Sequence, residues 1–173
     1  MEINFVKDIV VPILIGVLSS ALFLFLASRV KPRLRISPHI ASMPHAGGCG
    51  PGYGVKVVNL SRRSATELKA RLALVRKIAV AGGLINKTED FFLEKDSVFE
   101  LPGMSENLED SAFRFITTND IENDWASPNY ILFSVSAKDS LTGFSKVFSQ
   151  SYVLKRDVLK AGEFEIGHSM RIV

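Results

Sequence analysis

The sequence predicts a mainly β protein: a single N-terminal transmembrane helix followed by an antiparallel β-sandwich or small β-barrel with one short helix. Three observations in the 173 residues support this fold class. An uncharged apolar run lies near the N-terminus, apolar and charged residues alternate in mid-chain, and short segments rich in β-branched and aromatic residues are separated by turn residues. We expect residues 1–30 to form the anchor with a short N-terminal tail, and residues 31–173 to form one cytoplasmic β domain.

The predicted anchor is the run from Ile9 to Ser28, which holds twenty consecutive residues without a formal charge. At 1.5 Å per residue, a helix of this length is about 30 Å long and matches the hydrocarbon thickness of a bilayer. A cleaved signal peptide would have a positive leader, a shorter apolar core and a small-residue cleavage site. The leader here carries Glu2, Lys7 and Asp8, so we expect an anchor that remains in the mature protein.

Charges on the two sides of the anchor predict its orientation. One lysine and two acids precede it, whereas four cations follow it: Arg29, Lys31, Arg33 and Arg35. Positive flanks remain in the cytoplasm, which predicts a single-pass protein of the bacterial inner membrane with a cytoplasmic C-terminal domain. Residues 36–173 hold 16 Lys and Arg against 16 Asp and Glu, so the net charge of +3 arises in the first 35 residues. We therefore expect no nucleic-acid partner.

Small residues within the anchor favour self-association. Gly16 and Ser20 are four residues apart, with Ser19 beside them. Small side chains at this spacing let two membrane helices approach closely, although they are also common in any membrane helix. The expected partners are the lipid bilayer and other copies of the chain.

The alternation in mid-chain is strongest between Glu67 and Leu74, where Leu or Ala at each even position follows a charged residue at 67, 69 and 71. The period of two predicts a half-buried strand, although Ala, Leu, Lys and Glu all favour helices. The other predicted strands are Leu34–Ser37, Tyr53–Val58, Phe91–Leu93, Val98–Leu101, Phe113–Ile116, Tyr130–Ala137, Lys146–Leu154, Phe164–Ile166 and Met170–Val173. Tyr130–Ala137 and Lys146–Leu154 would pair across a turn at residues 139–143.

Two further segments have local signals. Thr118 or Asn119 would cap a short helix that contains Ile121 and Trp125, with acidic residues in its first turn. Residues 43–52 contain four Gly and two Pro, which predicts a flexible loop without regular structure.

Metal-binding and catalytic patterns are weak. His39, His45 and Cys49 lie within eleven residues, but a structural zinc site needs four ligands, and a cysteine nucleophile needs a positioned base. The glycines of residues 47–52 lack the Lys-Ser/Thr ending of a phosphate-binding P-loop and precede a strand rather than a helix. We therefore expect no metal, no cofactor and no enzymatic activity.

The turn Ser61–Ser64 is the best candidate for a binding site. It contains Arg62 and Arg63 between two hydroxyl side chains, and paired guanidinium groups bind phosphate through charge-assisted hydrogen bonds. We expect neighbouring cations of the sheet to share this anion site: Lys56, Lys69 and Arg71. An ordinary solvated basic turn is the alternative.

Several positions together resemble a family of short bacterial proteins that join an N-terminal anchor to a β domain: Tyr53, Val57–Arg63, Leu72–Arg76, Asp139-Ser140, Gly143, Lys146–Phe148, Tyr152, Gly162, Phe164 and Gly167. The resemblance implies the same two-part plan and transfers no chemistry. In plan alone, the chain is also similar to membrane effectors of antiviral systems, which join membrane helices to a cytosolic β domain that senses a cyclic nucleotide.

These observations predict a non-enzymatic membrane protein whose cytoplasmic β domain binds a ligand or a protein partner and promotes assembly at the membrane. A phosphate-bearing small ligand is the expected ligand class, and an antiviral membrane effector is one form of this hypothesis. The alternatives are an accessory or structural subunit of a larger membrane complex and, third, an enzyme at the membrane surface.

Overall fold

The computed structural model describes residues 10–29, 31–44, 50–104 and 109–173. The prediction of a mainly β protein is confirmed, since 50% of the residues lie in strands. Helix α1 spans Val11–Arg29. The elements that follow are β1 (Leu34–Ile36), β2 (Ile40–Pro44), β3 (Pro51–Asn59), β4 (Ala65–Val80), β5 (Gly83–Phe91), β6 (Ser97–Leu101), β7 (Ala112–Thr117), α2 (Ile121–Asp124), β8 (Tyr130–Asp139), β9 (Ser145–Tyr152), α3 (Lys155–Val158) and β10 (Leu159–Ala161).

The strands form two five-stranded sheets. The first has the order β1-β3-β2-β10, with β7 also paired to β3. The second has the order β5-β4-β8-β9, with β6 paired to the first part of β4. The pairing is antiparallel except between β10 and β2, which run parallel. The expected antiparallel pair β8–β9 is confirmed, and its register joins Val135 to Phe148.

The two sheets share one large hydrophobic core. Val55 and Val57 face it from the first sheet, and Leu72 and Phe133 face it from the second. The rings of Phe115 and Phe133 lie 5.6 Å apart across this core, which is a favourable spacing for aromatic side chains. Burial of these side chains removes apolar surface from water and supplies most of the favourable free energy of folding.

The strand predicted from the alternation between Glu67 and Leu74 is confirmed as part of β4, despite the helix propensity of its residues. Leu68, Leu72 and Leu74 are buried, whereas the charged residues between them are exposed. Glu67 has a φ of +50°, and the register with β8 shifts between Thr66 and Lys69. The shift marks a β-bulge, an irregularity that increases the local twist of a strand.

The prediction of a flexible loop at residues 43–52 is wrong at both ends. Met43 and Pro44 belong to β2, and Pro51 and Gly52 belong to β3, where Met43 pairs with Gly52. Gly54 of β3 packs beside the end of the Met43 side chain, and a Cβ there would lie 2.7 Å from Met43 Cε, so this methionine would have to shift. Residues 45–49, with His45 and Cys49, lie outside the described residues.

Other local predictions need correction. Asp120, rather than Thr118 or Asn119, caps α2, since its side chain accepts a hydrogen bond from Asn123 N. Phe164–Ile166 and Met170–Val173 form no extended strands, and a single bridge joins Phe164 to Ile172. Helix α3 and strand β10 were not predicted.

The C-terminal segment covers the outer face of the first sheet. Ala41, Met43 and Phe164 form a second buried cluster there, with Ile172 packed against it. Strand β3 is therefore buried on both faces from Gly52 to Asn59.

The side chains of α1 have a different environment. All of them from Val11 to Leu26 are exposed, including large apolar ones such as Leu18 and Phe23. Over the residues that the structure describes, no helix combines the length and the apolar character needed to cross a membrane.

Tyr152→Phe tests the contact between the sheets. Tyr152 is buried in β9, and its hydroxyl donates a 2.7 Å hydrogen bond to Ser37 O, just after β1. Removal of the Tyr152 hydroxyl leaves Ser37 O without this donor and should lower the free energy of unfolding at pH 7 by about 1–2 kcal/mol. Chemical denaturation followed by circular dichroism measures this difference.

The same variant tests a pH dependence. Burial raises the pKa of Tyr152 far above its ordinary value of 10.0. Above pH 10 the hydroxyl therefore ionises in the unfolded chain but not in the folded one, so the wild type loses about 1.4 kcal/mol of stability at pH 11 through this group. The phenylalanine variant has no hydroxyl to ionise and does not lose this stability. The difference in free energy of unfolding between the wild type and the variant should therefore decrease between pH 7 and pH 11. A constant difference would contradict the assignment.

Candidate basic cleft at the end of the first helix

A cleft of about 530 Å³ lies where the chain leaves α1 and enters the β domain. We call it the basic cleft, and its lining residues are Lys31, Arg33, Leu60, Ser61, Arg62, Arg63, Met104 and Asp139. Two separate sequence predictions meet here, because Lys31 and Arg33, two of the cations predicted to flank a membrane segment, line the same space as the arginine turn.

Backbone pairing brings the two segments together. Arg33 N donates a 2.8 Å hydrogen bond to Ser61 Oγ, and Leu60 N donates one of 2.8 Å to Arg33 O. Leu34 then begins β1 and pairs with Asn59 of β3. Since Leu34 is buried, the alternation along this strand leaves Arg33 exposed.

Asn59 holds the arginine turn in place. Its side chain is fully buried, and Nδ2 donates hydrogen bonds to the carbonyl oxygens of Arg63, Leu101 and Pro102 at 2.9–3.1 Å. Its Oδ1 accepts a 2.9 Å hydrogen bond from Ser61 N. One amide group therefore ties both ends of the turn to the segment after β6.

The segment after β6 packs directly against the backbone of the turn. A Cβ at Gly103 would lie 2.4 Å from Arg62 O and 2.8 Å from Arg63 N, so only glycine allows this approach. Met104 N adds a 2.7 Å hydrogen bond to Ser61 O. The position of the backbone is thus fixed, while the guanidinium groups of Arg62 and Arg63 extend into the cleft and toward solvent.

Asp139 supplies the carboxylate of the cleft. It is buried, and its Oδ1 accepts hydrogen bonds from Leu141 N and Thr142 N at 3.1 and 3.0 Å, which shapes the β8–β9 turn. Its Oδ2 lies 3.6 Å from Arg63 Nε. The predicted turn at residues 139–143 is confirmed, with Gly143 at a φ of +70°.

The charges of the cleft do not balance. Four cations line it, and Asp139 is the carboxylate among its lining residues. Of these cations Arg63 pairs with Asp139, whereas Lys31, Arg33 and Arg62 have no ion pair among the described residues. Convergent, unpaired cations on a rigid backbone favour the binding of an anion.

Lys56 does not belong to this site, contrary to the prediction. Its side chain is 1% exposed, and Nζ donates hydrogen bonds to Glu165 O and, at 2.8 Å, to Ser169 O. Burial and the neighbouring Arg114 charge lower the pKa of Lys56. The lysine holds the C-terminal segment against the first sheet, and its burial separates it from a ligand at the surface.

Lys69 and Arg71 lie on β4, outside the lining of the cleft. Both are exposed, and Arg71 Nε lies 2.7 Å from Asp90 Oδ1, so its charge is already paired. Arg35 is exposed on β1 beyond the cleft, and the side chain of Arg29 is outside the description. The structure therefore gathers two of the five predicted anion ligands, Arg62 and Arg63, and adds Lys31 and Arg33, which the sequence predicts as membrane-flank residues.

Sequence reasoning missed Asn59, Gly103 and Asp139. Asn59 occurs in an Asn-x-Ser triplet, a pattern that indicates a glycosylation acceptor and gives no sign of a buried structural amide. Asp139 had a detectable signal, because Asp at the start of a turn commonly binds the backbone two residues on. Gly103 had none, since the contact joins segments about forty residues apart.

The other reactive groups that the structure describes form no site of comparable order. Among the described residues, no three His, Cys, Asp or Glu side chains are placed to hold a metal ion. Ser111 Oγ and His168 Nε2 share a hydrogen bond, but Ser111 is fully buried under the C-terminal segment and cannot reach a substrate.

Comparison with known proteins adds no relative: no family model matches the chain, and no curated protein is significantly similar. The function is therefore inferred from the residues of the cleft and the helix that precedes it.

Asn59→Ala tests the role of the buried amide. The variant leaves three carbonyl oxygens and Ser61 N without this partner, so we expect a loss of about 2–4 kcal/mol in the free energy of unfolding. Asn86→Ala is the matched control, because Asn86 is exposed, and it should change stability by less than about 0.5 kcal/mol. Equal effects of the two variants in chemical denaturation would contradict this role.

Proposed function

We propose that the protein is a non-enzymatic membrane protein, anchored by its N-terminal segment, whose β domain binds a phosphate-bearing anion in the basic cleft and promotes assembly at the membrane. The observation that carries the proposal is the convergence of Lys31 and Arg33, which directly follow α1, with Arg62 and Arg63 in one cleft. The ligand site and the membrane attachment are therefore neighbours.

The environment of α1 supports the membrane part of the proposal. The side chains from Val11 to Leu26 are exposed, and exposure of so much apolar surface to water costs about 25 cal/mol for each Å². A bilayer removes this cost, and the helix satisfies its own backbone hydrogen bonds there. The proposed membrane segment is the whole uncharged run from Ile9 to Ser28, of which residues 10–27 have described side chains.

The charges that follow the helix support the orientation. With Arg29, Lys31, Arg33 and Arg35 on the C-terminal side, the β domain lies in the cytoplasm and the protein crosses the bacterial inner membrane once. Lys31 follows the end of α1 by two residues, which span about 7 Å at most. In this orientation the basic cleft faces the headgroup region.

The chemistry of the cleft supports a phosphate ligand. Guanidinium groups present parallel N–H donors that match two phosphate oxygens, and Lys31 adds a point charge. An anionic phospholipid and a soluble phosphate compound share this group. Because each cation near an anionic surface contributes about 1 kcal/mol, the lipid headgroup is the simplest source.

Assembly is proposed to begin in the membrane segment. Gly16 is open, since an added Cβ would have no neighbour within 4 Å, and Ser20 Oγ donates its hydrogen bond to Gly16 O. Together with Ser19, these residues leave a shallow, internally satisfied surface that a second helix can approach.

Paired arginine substitutions test the ligand site. In the full-length chain in zwitterionic detergent, phosphatidylglycerol in the mixed micelles should raise the thermal midpoint above its value with phosphatidylcholine, because a ligand stabilises the fold that binds it. Arg62→Gln/Arg63→Gln should remove most of this rise. Lys69→Gln/Lys95→Gln loses the same charge outside the cleft and should retain it.

Inorganic phosphate forms the second arm of that experiment. If inorganic phosphate raises the thermal midpoint without phosphatidylglycerol, the ligand is a soluble phosphate compound. If only phosphatidylglycerol raises it, the ligand is a lipid. No rise with either, or equal losses in both double variants, would contradict the cleft as an anion site.

The proposed topology predicts the behaviour of a fusion protein. Fused after Val173, a reporter that works only in the cytoplasm should be active, and one that works only in the periplasm should be inactive. The full-length chain should also resist extraction from membranes by alkaline carbonate. The arginine-rich flank determines this result. Activity confined to the periplasm, or release by carbonate, would contradict the anchor.

A further inference from the structure

The end of the β4–β5 hairpin projects from the second sheet. We call this part the ribbon, and it consists of Arg76–Val80 of β4 and Gly83–Lys87 of β5. The pairing of β4 with β8 ends at Val75, so within the described residues the two strands of the ribbon pair only with each other. Every side chain from Lys77 to Asp90 is exposed.

The tip of the ribbon is apolar. Residues 78–86 carry no charge, and Leu84 and Ile85 are 71% and 50% exposed. Lys77 and Lys87 bound this stretch on its two strands. A two-stranded hairpin is at best marginally stable in water, and an open apolar edge is a template for another strand, so this surface is suited to a partner.

Strand β5 offers a free edge for that partner. It is the end strand of its sheet, and the edge from Gly83 to Phe91 faces away from β4. The chain gives this edge a self-complementary sequence. If β5 pairs antiparallel with β5 of a second copy and the two-fold axis passes through Thr88, Lys87 lies opposite Glu89 of the second copy, and Ile85 lies opposite its Phe91.

Neighbouring registers are worse. An axis through Lys87 would place two lysines opposite each other and Ile85 opposite a glutamate, and an axis through Glu89 would place two glutamates opposite each other. Like charges directly opposite destabilise a strand pair, whereas opposite charges and apolar pairs stabilise it. Of these three axes, only the one through Thr88 places opposite charges against each other and apolar residues against each other.

We propose that two copies of this chain associate through antiparallel pairing of their β5 strands, with the two-fold axis at Thr88. The interface is isologous and closes the free edge of both sheets. Glu89, which lies 3.3 Å from Arg76 of its own chain, gains Lys87 of the second copy as another partner. The proposal deepens the assembly part of the proposed function and requires neither α1 nor the basic cleft.

A cysteine at the axis tests the register. In the full-length chain in detergent, with Cys49→Ser and Gly16→Leu to exclude the native thiol and contact through α1, Thr88→Cys should give a disulfide-linked dimer on mild oxidation. Opposing residues of an antiparallel pair have Cα atoms about 4.5–5.5 Å apart, within disulfide reach. Ser151→Cys is the control, because Ser151 is exposed on β9 at the opposite edge of the sheet, and it should stay monomeric.

Charge reversal supplies an independent test. In the same background, Lys87→Glu and Glu89→Lys should each weaken dimerisation at least tenfold in analytical ultracentrifugation, and the double variant should recover most of the affinity. A Thr88→Cys chain that folds but remains monomeric, or a double variant no better than the single ones, would overturn the proposal. Occupation of the ribbon by lipid or by a different protein gives the same negative result.

The outcomes also separate this inference from the proposed function. Dimers linked at residue 88 in a protein that carbonate releases from membranes would retain the β5 interface and overturn the anchor. A membrane-anchored protein that remains monomeric at β5 would do the reverse.

Discussion

The buried amide of Asn59 is the constraint on which the candidate site depends. It makes four hydrogen bonds, two within the arginine turn, to Arg63 O and from Ser61 N, and two to the carbonyl oxygens of Leu101 and Pro102 at the end of β6. Each buried backbone group needs a partner, so the side chain fixes where β3 ends, where β4 begins and where the segment after β6 passes. The two arginines therefore occupy a backbone that is ordered before any ligand arrives, which lowers the entropy lost on binding.

Burial separates the cations of this chain into two roles. Lys56 is enclosed, and its ammonium group is satisfied by the carbonyl oxygens of Glu165 and Ser169, so its charge serves the fold. Arg62 is exposed and has no carboxylate partner in the described part of the chain, so its charge remains available. Formal charge alone does not distinguish these residues; the difference lies in what covers each face of the sheet.

Local patterns predicted the elements that local forces determine. The alternation in β4, the β8–β9 hairpin and the mainly β class were accessible because a period of two and a turn ending in glycine are short-range signals. The burial of Lys56 was not, since Val55 and Val57 place it on the opposite face, where a solvated charge is the ordinary expectation. That face is covered by Phe164 and its neighbours, more than a hundred residues later in the chain. Strand β2 was missed because its Gly- and Pro-rich surroundings favour loops, and tertiary pairing with β3 overrode that preference.

The long-range closure of the first sheet has a consequence for biosynthesis. Lys56 obtains its acceptors from residues 109 and 113 positions further on, and β2 obtains its parallel neighbour from β10. When β1 to β3 have just emerged from the ribosome, the nascent sheet therefore has an ammonium group without its acceptors and an edge without its partner strand. This nascent sheet must wait until about Ser169 has emerged from the exit tunnel, several seconds later at ordinary rates of translation. During that interval its unpaired edge and uncovered face favour aggregation.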